Sequence, residues 1–69
     1  MSVTIPQFQV GDVVRIDFCG RTALITSPPV PVLVNGGRDV EYHVGLRWEN
    51  GVLESSYNTD YLELISAAR

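Results

Sequence analysis

Residues 40–57 read VEYHVGLRWENGVLESSY, and this stretch decides the fold because strand, turn and returning strand can all be read from it. Between residues 42 and 48 the chain alternates, with Tyr42, Val44, Leu46 and Trp48 on one face and Glu41, His43, Gly45 and Arg47 on the other. A period of two is the mark of a strand with one buried face. Asn50-Gly51 then predicts a two-residue type I′ turn, since both central residues of that turn need positive φ and these two residue types tolerate it best. The register that follows sets Glu49 opposite Val52, Trp48 opposite Leu53, Arg47 opposite Glu54 and Val44 opposite Tyr57, so that apolar meets apolar and charge meets opposite charge. A slip of one residue would turn Trp48 outward, so turn chemistry and burial select the same pairing.

The flanking segments extend this reading. Residues 8–12, FQVGD, carry a turn at Gly11-Asp12, and residues 13–18 alternate again, with Val14, Ile16 and Phe18 on one face and Val13, Arg15 and Asp17 on the other. A tight turn at Cys19-Gly20 pairs Ile16 with Ala23 and Val14 with Ile25, a second hairpin. Residues 27–38, SPPVPVLVNGGR, read as an irregular segment. Pro28, Pro29 and Pro31 lack backbone donors, which excludes the middle of a sheet and leaves an edge or an extended loop. Asn35-Gly36-Gly37 marks a turn, with Val32, Leu33 and Val34 forming a short strand before it. Asn58-Thr59-Asp60 is a further turn and residues 61–65 a last strand. Residues 1–7 read as an arm and 66–69 as a frayed tail.

Composition bounds the function. A chain of 69 residues is a single domain with a thin core. Cys19 is its one cysteine, so no internal disulfide forms, and a lone thiol suits a reducing cytoplasm. Five arginines, no lysine and eight carboxylates give a net charge of -3. The arginines are scattered among acids, which argues against nucleic acid as a partner. The apolar runs are too short to span a bilayer, and the expectation is no membrane association. Asp39, Glu41 and His43 alternate along one strand about 7 Å apart, a spacing open to a metal but more often a solvated face. Ser55 and Ser56 have no evident base in the sequence to activate them. No catalytic residue, cofactor or metal is assigned.

Residues 30–34 place large apolar groups where prolines restrict pairing. Exposed contiguous apolar surface on a small protein marks a contact site. The alternative is a loop folded back over one open end of a barrel, capping its core. Five short strands with no helical period point to a small, partly open antiparallel barrel.

Residues 8–16, FQVGDVVRI, resemble the entry of SH3 and SH3-like domains, and residues 58–65, NTDYLELI, resemble the short helical turn and last strand that end them. The layout, with Gly20 and a strand ending at Trp48 before Asn50-Gly51, is also similar to small bacterial and phage proteins of the YodC type. SH3 domains proper open on an A-L-Y-D-Y stretch and line a proline-peptide groove with paired tryptophans. This chain offers Phe8 and a single Trp48. It is similar too to type II dihydrofolate reductases, barrels that form tetramers around a pore. Where those carry V-Q-I-Y this chain reads Glu54-Ser55-Ser56-Tyr57, matching at Tyr57 alone. The resemblance implies an SH3-like fold, and fold alone does not carry function.

Two functions are therefore carried forward. The first is a non-enzymatic module that contacts a protein partner or a second copy through Pro29, Val30, Pro31, Val32, Leu33 and Val34 and a sheet edge. The second is an oligomeric enzyme whose site forms between subunits.

Overall fold

A computed structural model describes residues 6–68. The expected architecture is present: all-β, five antiparallel strands in one sheet, not closed into a barrel. The strands are β1 (Val13–Ile16), β2 (Thr22–Val34), β3 (Asp39–Trp48), β4 (Leu53–Asn58) and β5 (Leu62–Ser66). Their order across the sheet is β4-β3-β2-β1-β5, so four strands run as a meander and the last returns beside the first. Single 3₁₀ turns at Asn35–Gly37 and Thr59–Tyr61 connect β2 to β3 and β4 to β5. In the second, the Asn58 side chain accepts from the Asp60 amide at 2.9 Å, the capping bond that Asn supplies at a helical start.

A lone sheet has no second layer, so it must curl to bury one face. Val14, Ile16, Ala23, Ile25, Val44, Leu46 and Leu62 form that core, with Phe8, Trp48 and Tyr57 packed against it. Each fully buried Ile, Leu or Val contributes roughly 1.5–3 kcal/mol relative to exposure. The alternation read from the sequence picks out these residues on β1, β2 and β3. It was carried too far at Phe18, which lies beyond the end of β1 in the following turn and is 72% exposed.

The first hairpin pairs Val14 with Ala23 and Val13 with Leu24, two residues away from the expected register. Its loop is longer than a Cys19-Gly20 turn, because Ile16 N–H donates to Arg21 O and Gly20 N–H to Ile16 O, both at 2.8 Å. An even shift leaves every side chain on its expected face, which is why the core survives the error. In the central hairpin Val44 does pair with Tyr57, but Arg47 faces Leu53 and Leu46 faces Glu54. Trp48 N–H donates to Val52 O at 2.9 Å and Gly51 N–H to Trp48 O at 2.8 Å, so the loop holds three residues and not two. Gly51 takes the left-handed conformation at φ 89°, whereas Asn50 does not. This is a type I turn closed by a left-handed glycine, and it displaces the register by one residue. A bulge between Val44 and Leu46 restores it: β4 takes three steps where β3 takes two. Glu54 thereby joins Leu46 on the core side and accepts from the Trp48 indole N–H at 3.3 Å, while Leu53 turns out at 72% exposure.

Residues 1–5 of the expected arm lie outside the described residues, and Phe8, which follows the arm, packs on the core. Of the expected tail, Ser66 ends β5 and the Ala68 amide is hydrogen-bonded. Asp12 is buried and its carboxylate accepts from Gln9 N–H at 2.9 Å and from Ala68 N–H at 2.6 Å, tying both ends of the described chain together.

Candidate functional site

Residues 28–34 are not an irregular loop. β2 continues through Pro28, Pro29 and Pro31 and stays paired with β3: Val30 with His43, Pro31 with Tyr42, Val32 with Glu41, Leu33 with Val40 and Val34 with Asp39. Of the two places the prolines allow, the edge is the one taken: β1 pairs only with residues 22–24 of β2, so the far half of the strand has one free edge. There a missing donor costs nothing. Without an N–H, Pro31 can oppose Tyr42 only as a non-hydrogen-bonded pair, with Val30 and Val32 turned toward β3. The outward edge thus lacks a donor at Pro31, which weakens it as a template for another strand.

Two bulges separate this ribbon from the core. β2 takes five steps from Ile25 to Val30 while β3 takes three from Leu46 to His43. The difference is even, so alternation stays in step and the core face runs on into Pro31, Leu33, Val40 and Tyr42. At the joint, Gly45 is buried and its N–H donates to Ser27 Oγ at 2.8 Å. A Cβ on Gly45 would lie 2.6 Å from Ser27 Oγ and 2.7 Å from Thr26 Oγ1, so the bulge needs glycine there.

None of Pro29, Val30, Pro31, Val32, Leu33 and Val34 belongs to the core cluster, and the segment does not cap a barrel end. Val30 is 52% and Leu33 69% exposed, and Val40, opposite Leu33, is 45% exposed. The two ribbon faces differ in chemistry. Pro31, Leu33, Val40 and Tyr42 carry no charge, whereas Val30, Val32 and Val34 share their face with Asp39, Glu41 and His43. At the tip, Asn35 Nδ2 donates to Asp39 Oδ2 at 2.6 Å, with Asn35 itself at φ 55°.

The polar face corrects a second expectation. His43 is largely covered, with Nε2 2.9 Å from Glu41 Oε1 and Nδ1 2.5 Å from Ser56 Oγ, so Ser56 does have an imidazole in reach. The sequence signal was present in the register: Ser56 and His43 sit diagonally across the β3–β4 ladder. Asp39 turns to Asn35 and away from this pair, and among the described residues no three His, Cys, Asp or Glu groups gather at a metal-sized site. An open depression on the sheet is lined by Val13, Leu24, Arg47 and Trp48 among others, and includes none of Glu41, His43 and Ser56.

A row of aromatic rings forms another apolar surface, apart from the exposed Val10, Val52, Leu53, Leu64 and Ile65. Phe18 meets Tyr61 edge to face at 5.9 Å, Tyr61 meets Tyr57 at 6.4 Å and Tyr57 meets Trp48 at 5.8 Å. The Arg21 guanidinium lies 4.9 Å from the Trp48 ring centre. Three of these rings are brought together by the turns after β1 and β4, which periodicity does not register. Burial, then the nearby Cys19, Glu54 and Tyr61, push the Tyr57 hydroxyl above its usual 10.0.

Comparison with protein-family models, with curated protein sequences and with solved structures finds no match for this chain.

Proposed function

We propose that the chain is a non-enzymatic, SH3-like contact module of the cytoplasm, joined to a protein partner or a second copy through the β2–β3 ribbon. The observation that carries this reading is the ribbon face of Pro31, Leu33, Val40 and Tyr42, which continues the core face beyond the core and stays uncharged. Solvent normally selects charge at such positions, and a half-exposed apolar array on so small a domain is the signature of a contact surface. The strand order and the 3₁₀ turn before β5 support the SH3-like kinship. Contact runs through side chains and less through edge pairing, given the donor missing at Pro31. Fluorescence of an anilinonaphthalene sulfonate probe with dilute protein tests the surface directly. The wild type enhances it and Leu33→Glu does not; an unchanged signal in the variant, or none in the wild type, counts against the reading.

The hydrogen-bonded Glu41, His43 and Ser56 favour a second reading, an enzyme whose site is completed between subunits. Hydrolysis of p-nitrophenyl acetate, lost in Ser56→Ala with the fold intact, would support it. Equal background rates for both proteins would remove it.

A further inference from the structure

We infer that the occupant of the uncharged ribbon face is a second copy of this chain, packed face to face about a two-fold axis through Pro31, Leu33, Val40 and Tyr42. The inference rests on the contact-module reading and names its partner. Charge placement carries it. The chain is net acidic at -3, so two copies repel unless they meet where no carboxylate is brought close. This face meets that condition: Asp39, Glu41 and His43 all sit on the opposite side of the ribbon, set by the alternation that puts Leu33 opposite Val40 and Val32 opposite Glu41. A partner with a cationic patch would gain nothing from a surface with no charge to answer it. A two-fold contact needs a self-complementary patch, and an uncharged array of branched, ring and aromatic side chains is one without further adjustment.

Area sets the strength. Four side chains offer on the order of 300 Å² per copy, below the roughly 800 Å² per partner of a stable complex. The dimer is therefore weak and reversible, and it tightens as salt screens the repulsion between acidic copies. An interface made of ion pairs would loosen instead.

Disulfide trapping tests this in the full chain with Cys19→Ser as background, removing the exposed native thiol. Leu33→Cys and Val40→Cys place a thiol on the uncharged face, and Val32→Cys and Glu41→Cys place one on the other. Under mild oxidation the first pair is expected to give covalent dimer, several-fold more at high salt than at low, and the second pair to stay monomeric. Crosslinking through Val32→Cys or Glu41→Cys, or a yield that falls with salt, overturns the face-to-face dimer while leaving the ribbon as a contact surface. No crosslink at any position, with single-species sedimentation at every concentration, overturns the second copy as occupant. The contact-module reading then stands or falls separately on the dye response of dilute protein.

Discussion

Gly45 shows how one residue sets the geometry around it. Its missing side chain lets the β2 bulge close over β3, and its N–H is satisfied by Ser27. Gly45→Ala forces the Ser27 hydroxyl aside and breaks that bond, an overpacking cost of about 1–3 kcal/mol read as a lower urea midpoint. Asp12 works differently, as one carboxylate answering two backbone donors 59 residues apart in the chain, Gln9 N–H and Ala68 N–H. Asp12→Ala leaves both unpaired near buried surface and costs about 1–3 kcal/mol. Asp12→Asn keeps one acceptor oxygen and should recover part of that loss, a split that circular dichroism melts can resolve. Tyr57 adds a pH dependence. Its hydroxyl ionises near 10.0 in the unfolded chain and higher in the folded one. Above pH 10 the unfolded state releases a proton that the folded state retains, so stability is full below that pH and falls as pH rises through the folded value. Tyr57→Phe keeps the ring contacts to Trp48 and Tyr61, and its urea midpoint should fall less steeply above pH 10 than that of the wild type.

At the scale of elements, the central turn separates two accounts of the same dipeptide. In a type I′ turn both Asn50 and Gly51 would need positive φ; here only Gly51 does, and Asn50 instead accepts from Val52 N–H at 3.1 Å. Gly51→Ala should therefore destabilise by about 1 kcal/mol and Asn50→Ala by less. Equal costs would restore the two-residue turn. The same hairpin shows what the residues disclose in advance. Alternation identified the buried face of β3 because period two is local, and it found Val14, Ile16, Ala23 and Ile25 even with the register two residues off. The bulges at Ser27 and in β4 were not legible, since each depends on a partner strand whose alignment is fixed by tertiary contact. The prolines left an edge or a loop open, and the choice between them was not legible because it depends on which side of β2 has a neighbour. Residues 29–34 were legible as unusual in composition, but the division of the ribbon into a charged and an uncharged face required the pairing with β3. The approach of His43 to Ser56, by contrast, was legible, since pairing Val44 with Tyr57 already sets the two diagonally across the ladder.

For the whole molecule, the sheet has more apolar face than core. Curling buries the end formed by β1, β5 and the near halves of β2 and β3, while the far halves run on as a ribbon without cover of their own. Among the described residues no helix is long and apolar enough to cross a membrane. Ion pairs add little to the balance, since Arg15–Glu63 and Arg21–Glu49 are both about half exposed. Leu33→Glu should leave the melting temperature within a few degrees of wild type, because Leu33 is 69% exposed and lies outside the core cluster.

Amide ¹H–¹⁵N spectra recorded from about 10 µM to about 1 mM, a range that spans weak association, test that account most directly. The ribbon account predicts concentration-dependent shifts at Leu33, Val40 and Tyr42 that vanish in Leu33→Glu, with Gly20 and Gly51 unmoved. Spectra that stay superimposable throughout, or that change mainly around the aromatic row of Phe18, Tyr61 and Tyr57, would contradict it.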